Sequence, residues 1–360
     1  MVVAATGSSL DNPQLRHAPS SRRRPVLKDA WRCCGSVERH APGRDESQSG
    51  IAGHLVYPTL ELGAAYDKAM QTQIFGPLGM TNTTFDIRRA LSRNHASPHF
   101  SDLNFTPMRA SIGLDYGIVA YRPAGGAWSS AHDMIKYVQL ELTKGVLPDG
   151  RRLVSAANLL QRRAFSVPVG EDAYYGKGLM IDTGTGVEVI HHGGTMPGYA
   201  SDIFAIPDAQ VGAVILTNSD EGQLLTRPFM RRLLELLYDG HPEATGDVTA
   251  VAGRVRAQLG AERANMTVPP DAGVVASPAH EYRNPELGNL TVTQTNGAVR
   301  FDFGTWGSAV ASRRGSDGSA SLVLLVPPGI GYDFIVGDKA GQRTLTLRDG
   351  QHQYVYIERR

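Results

Sequence analysis

The sequence predicts an α/β chain of the α+β kind, in which helices flank an antiparallel sheet and a separate small β-domain follows. Three observations predict it. Apolar residues recur at helical spacing over 64–75, 131–144 and 223–238. Between the second and third of these the period drops to two, in four successive runs over 178–183, 187–192, 199–206 and 211–218, parted by Gly-rich or Pro-Asp turns. That arrangement reads as an antiparallel meander. From Tyr282 onward every periodic run is short and strand-like.

Taken in order, the chain opens with a segment unlike the rest. Its first 50 residues hold eight Lys+Arg, five Asp+Glu and one aromatic, Trp31, with no Ile, Phe or Tyr. Such a segment buries too little apolar area to offset its ordering entropy, so 1–60 is expected to be a disordered leader. The rival reading is a basic docking patch at Arg22 to Arg24. The start lacks a basic region followed by a long apolar run, so no signal peptide is expected and the chain as written reads as cytoplasmic.

The ordered part is expected over 61–264. Ala65, Ala69, Met70 and Ile74 stripe one helix, which Gly76-Pro77 stops. Met134, Ile135, Val138 and Leu142 stripe the next, with Ser129 and Ser130 expected at its N-cap and Gly145 as its end. Ser155 caps a shorter helix, and a weaker helix over 248–264 follows the one ending near Gly240. Residues 265–280 are rich in Pro, Gly and Ala and read as a linker. Residues 281–360 read as a β-barrel or sandwich, with strands over 290–294, 299–303, 322–326, 334–336, 344–347 and 354–357.

Composition narrows the function. With 360 residues, 41% hydrophobic and 20% charged, the chain can build a sizeable core. A net charge of +1 gives no footprint for nucleic acid. No apolar run is long enough to span a membrane. The two cysteines, Cys33 and Cys34, are adjacent, and no Cys/His spacing resembles a zinc site. Neither a metal nor a cofactor is expected.

Three motifs carry the chemistry. Pro77-Leu78-Gly79-Met80 is followed by Thr81 and Thr84. Ala124-Gly125-Gly126-Ala127-Trp128-Ser129-Ser130-Ala131-His132-Asp133 opens a helix. His191-His192-Gly193-Gly194-Thr195-Met196-Pro197-Gly198-Tyr199 is followed by Pro207-Asp208 and by Val214 to Asn218. In this order they resemble the serine β-lactamase/penicillin-binding-protein-like family, on the branch of class C β-lactamase relatives, esterases and D-aminopeptidases. The resemblance covers roughly residues 61 to 240. Residues 281–360, from Tyr282-Arg283-Asn284-Pro285-Glu286-Leu287-Gly288, resemble the lipocalin-like β-domain attached to many of these proteins.

The resemblance implies a β-lactamase-like antiparallel sheet, acyl transfer through a serine ester, and a small-molecule or small-peptide substrate. It also implies a Ser-x-x-Lys and a Tyr-x-Asn. No Ser-x-x-Lys occurs: the six lysines are Lys28, Lys68, Lys136, Lys144, Lys177 and Lys339, and none stands three residues after a serine. The nearest forms end on Arg23, Arg24 and Arg39, and arginine stays protonated, so it is no base. The one Tyr-x-Asn is Tyr282-Arg283-Asn284, inside the β-domain. The nucleophile is therefore unassigned, and two readings stay open. One is a hydrolase of ester, amide or small peptide bonds whose catalytic N-terminal part and sheet are incomplete here. The other is a pseudoenzyme or binding module that keeps one wall of a cleft.

That wall is the third motif. By resemblance His192 stands in the His-x-Gly position, able to hydrogen-bond a substrate near neutral pH. Gly193 and Gly194 keep a strand edge clear of side chains, and the resemblance implies that the Thr195 N–H stands where the family completes its oxyanion hole. On the residues alone, His192 reads equally as a structural histidine at a strand end. His191 alternates to the opposite face and reads as structural. The strand over 211–217 is expected to present an open edge, which invites self-association.

Overall fold

The computed structural model describes residues 2–3, 54–122, 125–164, 167–275, 280–315, 317–327, 329–348 and 352–359. Nearly all of the expected leader, with Arg22 to Arg24 and both cysteines, lies outside the described residues. Two compact units form. The first comprises the described residues 2–3, 54–97 and 118–248, the second 98–117 and 249–359.

In the first unit, strand β1 (Val2–Val3) pairs with β4 (Ala127–Trp128). Helix α1 (Leu62–Met70) runs on through a wide turn to Phe75, and α2 (Ile87–Leu91) is capped by Asp86, whose carboxylate accepts from the N–H groups of Arg88 and Arg89. Helix α3 (Ala131–Leu142) starts at Ser130, whose hydroxyl accepts from the Asp133 N–H. Of the two serines expected at the cap, Ser129 and Ser130, it is Ser130 that caps the helix. Ser129 is buried instead, its hydroxyl 2.8 Å from that of Thr83. Helix α4 (Ala156–Arg162) is capped by Ser155 as expected.

A six-stranded antiparallel sheet follows: β5 (Val167–Pro168), β6 (Ala173–Tyr175), β7 (Met180–Asp182), β8 (Val189–Met196), β9 (Tyr199–Ile206) and β10 (Val211–Thr217), in the spatial order 10-9-8-7-6-5. It contains the expected four-strand meander, extended by β5 and β6, and one of the expected strands changes its bounds. Strand β8 does not stop at His192 but runs through Gly193 and Gly194 to Met196, because the reversal is made by Pro197-Gly198, with Gly198 at φ +81°. Strand β9 is buried along its whole length. Its two faces carry separate cores. Ile203 and Ala205, with Ile190 of β8, pack on Met134, Val138 and Leu142 of α3. Phe204 and Ile206, with Val189, pack on helix α5 (Gln223–Leu237) through Phe229, Met230, Leu233 and Leu234. Among the described residues β10 has a strand partner on one side only.

The second unit holds the hairpin of β2 (His99–Ser101) and β3 (Pro107–Arg109), a 3-10 helix that begins at Ile112, and most of α6 (Ala244–Ala264), which starts four residues before its expected beginning. Its main body is a closed barrel, not a sandwich, of eight antiparallel strands: β11 (Glu281–Asn284), β12 (Gly288–Thr295), β13 (Ala298–Asp302), β14 (Gly307–Arg314), β15 (Ala320–Leu324), β16 (Asp333–Lys339), β17 (Gln342–Arg348) and β18 (Gln353–Glu358). Closure, through Tyr282 opposite Glu358, removes both sheet edges. Inward residues such as Leu290, Phe301, Leu322, Phe334 and Tyr356 fill the interior. Strand β14 was not legible as a run because it is built of small and polar residues. Its Ser308 is fully buried but satisfied, accepting from the N–H groups of Leu325 and Val326. Within the segment read as a linker, Thr267 bridges to Ser312 and Val275 is buried in the barrel core.

Candidate active site

The third motif occupies β8, and register decides what each of its residues meets. Strand β7 pairs with β8 only at Val189, Ile190 and His191. From His192 to Met196, β8 is paired with β9 and has no second strand partner among the described residues. A stretch of β8 with a strand on one side only therefore begins at His192; in it His192, Gly193 and Thr195 are half-buried and Gly194 and Met196 buried. Gly193 lies opposite Asp202, and a methyl group on it would sit 3.3 Å from that carboxylate and from the Ser201 carbonyl. The glycine keeps the Asp202 side of the strand unfilled.

Alternation sends the two histidines to opposite faces. His191 lies on the α5 side, stacked on Phe204 at a centroid distance of 5.9 Å, with Nδ1 3.6 Å from Asp202. That separation is too long for a hydrogen bond. His192 lies on the α3 side, half-buried, with Nδ1 2.7 Å from the Gly193 carbonyl and Nε2 3.1 Å from the Tyr175 hydroxyl. Burial pushes the His192 imidazole below its ordinary pKa. The Gly193 carbonyl and Asp202 oppose that shift, while His191 and Arg162 add to it. His192 is accordingly a neutral base near pH 7 rather than a fixed cation. Burial also holds the Tyr175 phenol above its ordinary value, so it keeps its proton.

Arg162, at the end of α4, is fixed by Glu141 at 2.5 Å and by the Tyr137 hydroxyl at 2.7 Å. Arg163 binds the same Glu141 side chain, which is 2% exposed. This buried cluster sets the charge on the α4 side of His192.

The second motif forms a separate structure at the start of α3. Asp133 is fully buried and accepts from the Asn82 N–H at 2.7 Å and the Thr83 hydroxyl at 3.0 Å. These bonds tie the start of α3 to the segment after Met80. Trp128 is buried edge-on against His95 and Tyr199. A cavity of about 490 Å³ opens beside it, lined by Arg89, Arg93, His95, Trp128, Ser129 and Ser130 among others. It lies beside the α3 N-terminus and is not lined by β8. The barrel motif has a structural use. Tyr282 is buried in the barrel core, and Asn284 holds the following turn by accepting from the N–H groups of Glu286 and Leu287.

Residues 45–236, more than half of the chain, match the family described as Beta-lactamase. The chain belongs to the beta-lactamase family. Penicillin-binding protein 4 of Amycolatopsis lactamdurans is 27% identical over 213 residues, which are 55% of this chain and 56% of that protein. The chain thus spans about half the length of the curated relative it matches. Among solved structures, the octameric penicillin-binding protein homologue from Pyrococcus abyssi aligns at TM-score 0.44 and 17% identity, covering 82% of this chain and 62% of that one. D-amino acid amidase from Ochrobactrum anthropi SV3 aligns at TM-score 0.38 and 20% identity, covering 47% and 48%.

As a beta-lactamase-family chain it brings together, of the residues singled out by sequence, His192, Gly193, Gly194 and Thr195 on one strand with an open edge. Sequence reasoning missed Tyr175. No spacing rule links residue 175 to 192, and only the pairing of β6, β7 and β8 places them side by side. Among the described residues no group of three or more His, Cys, Asp or Glu stands together as a metal site, and no helix is long and apolar enough to cross a membrane.

Proposed function

We propose that β8 from His192 to Thr195 is the substrate wall of a beta-lactamase-family hydrolase, receiving the carbonyl of an ester, amide or small peptide. The observation that carries this reading is the second edge of β8. Among the described residues its pairing with β7 ends at His191, and from there His192, Gly193 and Thr195 are half-buried with no second strand beside them. Backbone N–H groups on such an edge donate to a carbonyl oxygen and stabilise the charge that develops on it, and the resemblance assigns that donor to Thr195. Penicillin binding, named for the Amycolatopsis relative, makes a β-lactam one of the fitting amides.

A second reading is favoured by one specific observation. No serine among the 360 residues is followed three positions later by lysine. The chain as given is then a binding module that holds substrate without forming an acyl-enzyme. One experiment tests both. The chain is incubated with a β-lactam, a D-amino acid amide and a nitrophenyl ester, and read by calorimetry and intact mass. Binding that weakens about tenfold in His192→Ala, the loss of about one hydrogen bond, is the expected result. Equal affinity in both proteins makes His192 structural and overturns the substrate wall. A stoichiometric mass adduct on any serine overturns the binding-module reading.

A further inference from the structure

Both ring nitrogens of His192 are engaged, and the chemistry of the partners fixes the proton. The Gly193 carbonyl only accepts, so Nδ1, 2.7 Å away, carries the hydrogen. In the neutral ring Nε2 is then a bare lone pair, and the Tyr175 hydroxyl, 3.1 Å away, donates to it. The register brings the two residues near each other. Tyr175, Met180 and His191 form a row across β6, β7 and β8, which puts Tyr175 one step along the sheet from His192. The row itself lies on the His191 face, and it is the long Tyr175 side chain, at the end of β6, that carries the hydroxyl to His192 Nε2. The rings meet edge to face at 5.8 Å and 67°. The phenol is only partly buried, and its oxygen keeps its lone pairs.

We propose that Tyr175 and His192 form a two-residue proton relay in which the phenol oxygen, not the imidazole, is the atom presented to the reacting group. A proton released by a hydroxyl or water at the site forms a new O–H bond to the Tyr175 oxygen. The phenol's own O–H bond breaks, and that proton forms an N–H bond at Nε2. The phenol ends neutral, the donor ends as an anion, and the positive charge rests on the imidazolium. Return of the proton by the reverse path supplies a leaving group. The proposal rests on the reading of β8 as the substrate wall. It deepens that reading by naming the acceptor atom and the reservoir.

The groups that face His192 set the charge balance of the step. Asp202 on β9 favours the imidazolium, whereas His191 on β8 and Arg162 at the end of α4 oppose it. Tyr175 on β6 is neutral and opposes it as well, because donation to Nε2 stabilises the bare lone pair. Protonation of Nε2 reverses that hydrogen bond, leaving the phenol oxygen as the acceptor.

Long-range proton–nitrogen NMR of protein labelled at the histidine nitrogens reads the relay without any substrate. In the wild type His192 is expected as the Nδ1–H tautomer. Tyr175→Phe keeps the ring and removes only the hydroxyl. The His192 titration midpoint is then expected to rise by about half to one pH unit, the worth of one neutral hydrogen bond. An unchanged midpoint, or an Nε2–H tautomer in the wild type, overturns the relay. The tautomer measurement needs no variant and stands if Tyr175→Phe folds poorly. Absence of ligand binding bears on the proposed function alone, because neither NMR readout involves a ligand.

Discussion

Asp115 shows what a single side chain does to this fold. It lies in the 3-10 helix that begins at Ile112, 1% exposed, and neither carboxylate oxygen has a hydrogen-bond partner among the described residues. Burial raises its pKa well above the ordinary carboxylate value. The sign of the consequence follows from linkage. Below about pH 3.9, the ordinary value, the acid is protonated in both the folded and unfolded chain and costs nothing. As pH rises through that value the unfolded chain ionises first, and stability falls until the raised folded pKa is reached. Within that window the loss reaches about 1.4 kcal/mol per pH unit. Asp115→Asn removes the titration. Its melting temperature is expected to match the wild type near pH 3 and to exceed it increasingly toward pH 7. Parallel curves for the two proteins would show that Asp115 is paired in solution.

At the scale of elements, the close crossing of α3 over β10 depends on Gly212. A methyl group there would lie 2.3 Å from the Val138 side chain, which is 1% exposed and cannot swing away. Gly212→Ala is therefore expected to destabilise the first unit by about 1–3 kcal/mol, read as a lower denaturant midpoint at unchanged slope. A smaller cavity-forming partner, Val138→Ala, should relieve the clash, so the double variant is less damaged than the sum of the singles. The element scale also shows where the sequence was legible. Helices α1, α3 and α5 and strands β7 to β10 were readable because each buries a stripe or face of its own. The pairs β2–β3 and β5–β6 are two- or three-residue strands with no period to detect. Of the site, His192 and the glycines were readable from a contiguous motif. Tyr175 was not, because its contact with His192 is made by a side chain reaching across from a strand two places away in the sheet.

At the scale of the whole molecule, the two large β-sheets end differently, and that difference carries a prediction. The barrel closes on itself and offers no edge. The meander ends on β10, Val211-Gly-Ala-Val-Ile-Leu-Thr217, which contains no charge and no proline and is partly exposed along its length. Such an edge presents a row of N–H and C=O groups to any strand that can pair with it, and a second copy of β10 is one. With a net charge of +1 there is little long-range repulsion to keep two copies apart. The chain is therefore expected to self-associate, with weight-average mass in sedimentation rising with concentration. Leu216, half-buried and in neither core of the sheet, is the place to test the edge. Leu216→Lys sets like charges near each other across an antiparallel β10 pair, a device by which natural edge strands avoid pairing. It should restore the mass of a single chain while leaving the melting temperature within a few degrees of the wild type. A wild-type chain that sediments as a single copy at every concentration would show that the β10 edge is covered in solution, and association that survives Leu216→Lys would place the contact elsewhere.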